Sequence, residues 1–118
     1  MLNTGDDRRG DPRFLTQLGA LVVPSDGEPR RGRVDNVSVS GLWVDTPDPP
    51  AQGTLCTVAI ELADERWPIR SVAGRVVRRE RNGFAVACFA DQRAVSAELV
   101  LRVRQAQASA ALEPERAA

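Results

Sequence analysis

Two short stretches hold the residues best suited to chemistry. The first is "RRGDPR", residues 8–13, which gathers Arg8, Arg9 and Arg13 within six positions. The second is "NVSVSG", residues 36–41, where Asn36, Ser38 and Ser40 alternate with Val37 and Val39 ahead of Gly41. Arginine carries a planar fork that grips phosphate, or the N7/O6 edge of guanine, through paired hydrogen bonds. Strand alternation places Asn36, Ser38 and Ser40 on one face and the two valines on the other. Gly41 then removes a side chain beside a row of small donors and acceptors, which leaves room for a flat ligand edge. Taken singly, each stretch has a bland reading, a solvated cationic run and a solvated strand face. Taken together they suit an anionic, flat, guanine-bearing ligand, with arginines on phosphate and the guanine edge and Asn36 and Ser38 on the rest. Arg30, Arg31 and Arg33 add to the same field if the arm folds back.

These residues need a scaffold, and the totals bound it. The chain has 118 residues, enough for one domain with one core. Apolar residues make up 42%, so the core is modest. Sixteen basic and sixteen acidic groups cancel, which argues against a general DNA or RNA binder. The few aromatic residues argue the same way, because single-strand binding surfaces display stacking rings. All sixteen basic residues are arginine, and histidine and lysine are absent.

Without histidine, a general base would have to be a carboxylate, and no paired acidic motif is visible; the reading is not an enzyme. Cys56 and Cys88 stand alone in strand-like runs, too few ligands for zinc. Reduced core thiols are the expectation, with a cross-strand disulfide left open. No cofactor is expected. No apolar run approaches a bilayer span and the N-terminus lacks a signal-like apolar segment, so the expected location is the cytoplasm, without membrane insertion.

Periodicity supplies the elements. Residues 1–13 are polar, with Gly5, Gly10 and Pro12, and read as a flexible arm. Residues 14–23 read as a strand ended by the turn-rich 24–29. Residues 30–46 form one long β-rich run with Gly41 inside it, the mark of a bulge, a bend or a close ligand approach. A proline-rich loop covers 47–53. Residues 54–62 alternate Cys56, Val58, Ile60 and Leu62 against Thr57, Ala59 and Glu61. Residues 67–80 and 84–90 flank Asn82-Gly83, a hairpin signal suited to positive φ. About six strands in this spacing give a small barrel or sandwich. From Asp91, an expected N-cap, the chain turns helical, with Val95, Leu99 and Val103 on one stripe. Such a helix packs on the barrel, and it also suits pairing with a second copy in a homodimer.

Arg9-Gly10-Asp11-Pro12-Arg13 reads as RxxxR, and Asn36 to Gly41 reads as (D/N)xSxxG. This ordered pair resembles the two signatures of the PilZ family of bacterial receptors for cyclic di-GMP, a second-messenger nucleotide. "GRVVRRERNGFAVACFA" resembles the late hairpin of that family, and the resemblance covers roughly residues 8–110. It implies an all-β fold with a C-terminal helix, a six-stranded antiparallel β-barrel. The units are then a flexible arm at 1–7, the PilZ-like domain at 8–112 and a disordered tail at 113–118. The resemblance further implies that Arg9 and Arg13 hold guanine and phosphate groups while Asn36, Ser38 and Gly41 face a guanine, with Arg8 as an accessory contact. A receptor without an attached output domain docks on a downstream protein. The alternative from the same family is an adaptor that works through protein contacts without the nucleotide.

Overall fold

The computed structural model of the chain describes residues 11–62, 66 and 68–112. They form β1 (Phe14–Pro24), β2 (Arg30–Ser38), β3 (Gly41–Asp45), β4 (Leu55–Glu61), β5 (Ile69–Glu80) and β6 (Gly83–Cys88). A 3-10 turn, Ala90–Gln92, leads into helix α1 (Arg93–Leu112). The strands close into a barrel in the order β1-β2-β3-β6-β5-β4, every pair antiparallel. Closure leaves no unpaired sheet edge, which removes a route to aggregation. This is the six-stranded antiparallel barrel with a C-terminal helix that the sequence leads one to expect.

Alternating valines fill the interior. Val22, Val34, Val37, Val44, Val58, Ile60, Val72, Val76 and Phe84 are fully buried. Branched side chains stand well on a pleated surface, and here they exclude water from both halves of the barrel. Helix α1 packs against β1, β2 and β5 through Leu99, Val100 and Val103. Arg70 of β5 and Arg102 of the helix both donate to Glu98 Oε2, at 2.9 and 3.2 Å, and tie the helix to the barrel wall.

Of three register shifts among the described strands, two decide how Asn36 and Arg78 face. Val34 pairs with Val44 and Asn36 with Trp43, so β2 advances two residues where β3 advances one. Asp35 is the extra residue. A strand keeps its alternation only while register holds, and one inserted residue exchanges the faces beyond it. Without the bulge, Asn36 and Ser38 would share the inward phase of Val34. With it, Val37 goes to the core and Asn36 turns outward. On β5, Val76 pairs with Val86 and Arg78 with Ala85, so Val77 is extra. Val72, Gly74 and Val76 point inward, and this second bulge spares Arg78 the same fate.

Several local expectations are corrected. Residues 30–46 are not one strand, because Val39 and Ser40 make the turn between β2 and β3 and Gly41 opens the second of these. The late hairpin turns at Arg81 and Asn82, with Gly83 already paired to Glu80. Among the described glycines only Gly53 has a positive φ, 94°. Gly83 has another role: a Cβ there would lie 2.6 Å from Cζ2 of the Trp43 indole. Asp91 is not an N-cap, since it sits inside the 3-10 turn, whose capping residue is Phe89. Residues 1–7, Arg8, Arg9 and the tail 113–118 lie outside the described residues.

Candidate ligand-binding site

A cavity of about 340 Å³ opens on the outer wall of the barrel. That volume is in the range of small-molecule sites. Gly41 of β3 with Ala85 and Ala87 of β6 line it between two flanks. Arg13, Ser38 and Ser40 stand on the β2 flank, and Val77 and Arg78 on the β5 flank.

The β2 flank is a small hydrogen-bonded unit. Arg13 Nη1 donates to Asn36 Oδ1 at 3.0 Å, which brings the end of the arginine stretch onto the start of the polar strand. Ser38 is 3% exposed; its hydroxyl donates to the Gly41 carbonyl at 3.2 Å and lies 3.2 Å from Ser40 Oγ. The β2–β3 turn is pinned from below. Cys88 donates its amide to the Ser40 carbonyl at 2.9 Å and its thiol to the Val39 carbonyl at 3.4 Å. Asp11, just ahead of Arg13, lies 3.6 Å from Arg93 at the start of α1. The arm therefore touches barrel and helix at once.

Gly41 has a different physical role from the one its sequence position suggests. A Cβ there would stand 2.1 Å from the Val86 carbonyl oxygen. The missing side chain admits the neighbouring strand before it admits a ligand.

The structure brings Arg13, Asn36, Ser38 and Gly41 together. It does not bring Arg30, Arg31 and Arg33 to them. Arg30 bonds Asp48 at 3.1 Å, Arg31 bonds Glu61 at 3.2 Å and Arg33 donates to Gln17 Oε1 at 3.2 Å. Arg31 and Arg33 line a separate hollow with Asp45 and Thr46, because they sit nearer the start of β2 while Ser38 ends it. Sequence reasoning missed Arg78, and it placed Ser40 on the polar face without giving it a role. Ser40 carried a signal in its alternation with Ser38. Arg78 did not, because parity along β5 assigns it to the core and only the Val77 bulge reverses that.

The fold is a closed six-stranded barrel with a helix, and a cavity on its outer wall has Arg13 on one flank and Arg78 on the other. The chain belongs to the PilZ domain family, whose family model matches residues 7–104. Among solved structures it is similar to the crystal structure of the PilZ domain of CeSA from a cellulose-synthesising bacterium. The TM-score is 0.64 at 17% identity, covering 76% of this chain and 95% of that one. At that identity the likeness speaks for the fold. No curated protein matches the chain. Among the described residues no group of His, Cys, Asp and Glu could hold a metal ion, and no helix is long and apolar enough to cross a membrane.

Proposed function

We propose that the chain is a non-catalytic cyclic di-GMP receptor acting in the cytoplasm. Membership of a family of cyclic di-GMP receptors supports this. The observation that carries it for this chain is the Arg13–Asn36 hydrogen bond at the edge of a cavity lined by Ser38 and Gly41. Arg13, with Arg9 and Arg8 upstream, takes the phosphates and the guanine N7/O6 edge, where a planar fork outperforms a point charge. Asn36 and Ser38 supply neutral partners for the remaining polar atoms. Ligand binding orders the arginine arm against the barrel and changes the surface offered to a downstream protein, a disorder-to-order switch. The arm adjoins Arg93 of α1, so the helix surface changes with it.

Calorimetric titration with cyclic di-GMP, with GTP and cyclic di-AMP as controls, tests the reading. Binding near the micromolar range, about −8 kcal/mol, is expected. No heat at several hundred micromolar ligand, roughly −5 kcal/mol, overturns it and leaves the ligand-independent adaptor. Hydrogen exchange across residues 8–13, with and without ligand, tests the switch. Protection already complete in the free protein overturns that part alone.

A further inference from the structure

A second arginine reaches the same cavity from the far flank. Asn36 pairs with Trp43, Trp43 with Ala85 and Ala85 with Arg78, so these four residues form one row across β2, β3, β6 and β5. The row begins at the residue that binds Arg13 and ends at Arg78. Three strand spacings separate its ends, roughly 14 Å. Two extended arginine side chains with a flat ring between them fill such a width. Ala85 and Ala87 are small enough to leave the intervening surface low.

Arg78 is not a loose surface cation. Its Cζ lies 5.2 Å from the centre of the Trp43 ring. Its Nε is 3.5 Å from Glu80 Oε2. Trp43 is itself held, because its Nε1–H donates to Asp45 Oδ1 at 2.8 Å and its ring occupies the space that Gly83 leaves. A guanidinium resting on an indole keeps its charge and its plane while losing much of its freedom beforehand. The side chain remains 62% exposed, so it has a free approach to a ligand.

We propose that Arg78, carried on Trp43, is a ligand-contacting residue that stacks on a purine base seated over Ala85 and Ala87. This deepens the cyclic di-GMP reading and rests on it. The chemistry is that of a delocalised planar cation against a flat ring, which lysine cannot reproduce.

The test uses the full chain with Arg78→Ala and Arg78→Lys, titrated with cyclic di-GMP by calorimetry. It is joined to a Trp67→Phe variant, in which Trp43 is the sole indole. Both Arg78 variants should weaken binding about tenfold, and Trp43 emission should change saturably with the calorimetric Kd. Wild-type affinity in Arg78→Ala, full retention in Arg78→Lys, or Trp43 emission unmoved by bound ligand overturns the stacking role while the receptor reading stands. Arg78→Lys keeps the long stem and the charge, so its result holds even if Arg78→Ala folds poorly. Absence of binding in wild type removes the receptor reading, and this inference with it.

Discussion

Arg13 and Asn36 are joined by a 3.0 Å hydrogen bond across a sequence separation of 23 residues. The bond sets the guanidinium beside the polar strand at the rim of the cavity. Arg13→Ala should weaken cyclic di-GMP binding by ~1.5–3 kcal/mol, the loss of a hydrogen bond to a charged group. Asn36→Ala should cost less, ~0.5–1.5 kcal/mol, since it removes a neutral acceptor. Arg13 is exposed, so its loss should leave the melting temperature nearly unchanged. Calorimetry and thermal melts on the same samples check both halves. A large drop in melting temperature for Arg13→Ala would reassign it to the scaffold.

Gly41 separates strand packing from ligand room. With the Val86 carbonyl 2.1 Å from where a Cβ would sit, Gly41→Ala must push β3 and β6 apart. Urea unfolding should show a loss of ~1–3 kcal/mol, as for other overpacked sites. Unaltered stability would mean that the strands accommodate the methyl and that the glycine serves the ligand instead.

The two thiols should differ in reactivity. Cys56 is 4% exposed, and burial pushes its thiol up to about 11, so it stays protonated at neutral pH. Cys88 is half-buried at the β2–β3 turn. Alkylation of the folded protein at pH 7 followed by mass spectrometry should modify Cys88 first and Cys56 only after denaturation. The sequence left a disulfide open. Gly74 pairs with Cys56 on one side and Cys88 on the other, so the cysteines lie two strands apart. That is roughly 10 Å between Cα atoms, beyond the ~7 Å limit for a bridge. After mild oxidation and denaturation, both thiols should still be titratable, with no intramolecular bridge.

Glu98 makes helix docking sensitive to acid. The hydrogen bond from Arg70, then that from Arg102, holds its carboxyl below the ordinary glutamate value. A carboxylate whose folded pKa is depressed binds protons more readily when unfolded. Its contribution is therefore complete above the unfolded value near pH 4.5 and is lost as pH falls through the folded one. Glu98→Gln should flatten part of the decline in melting temperature between pH 5 and pH 3 while changing little of the slope above pH 5. An identical acid limb in the variant would show that the Arg70–Glu98–Arg102 cluster contributes nothing measurable.

Much of this was written in the sequence. The apolar alternation in β4 (Cys56, Val58, Ile60) and β6 (Phe84, Val86, Cys88) dictates half-buried strands because the side-chain period of a strand is two, and both elements appear where that period runs. The stripe Val95, Leu99, Val103 dictates a docked helix for the same kind of reason, a fixed period of 3.6. The residue types in "RRGDPR" and "NVSVSG" set which donors, acceptors and charges are available, because these belong to side chains irrespective of fold.

Tertiary structure decided which of those groups meet. Arg13 reaches Asn36 only because β1 pairs with β2 in one register, whereas Arg31 and Arg33, closer in sequence to Asn36, are carried away along the same strand. Bulges at Asp35 and Val77 set the outward face of Asn36 and Arg78, and nothing local marks either one. A bulge is a property of two strands in register. It is stabilised by the partner's hydrogen bonds and by the core side chains beyond it, so one strand read alone cannot reveal it. The same holds for Gly41, whose missing side chain is explained by a carbonyl 45 positions later in the chain.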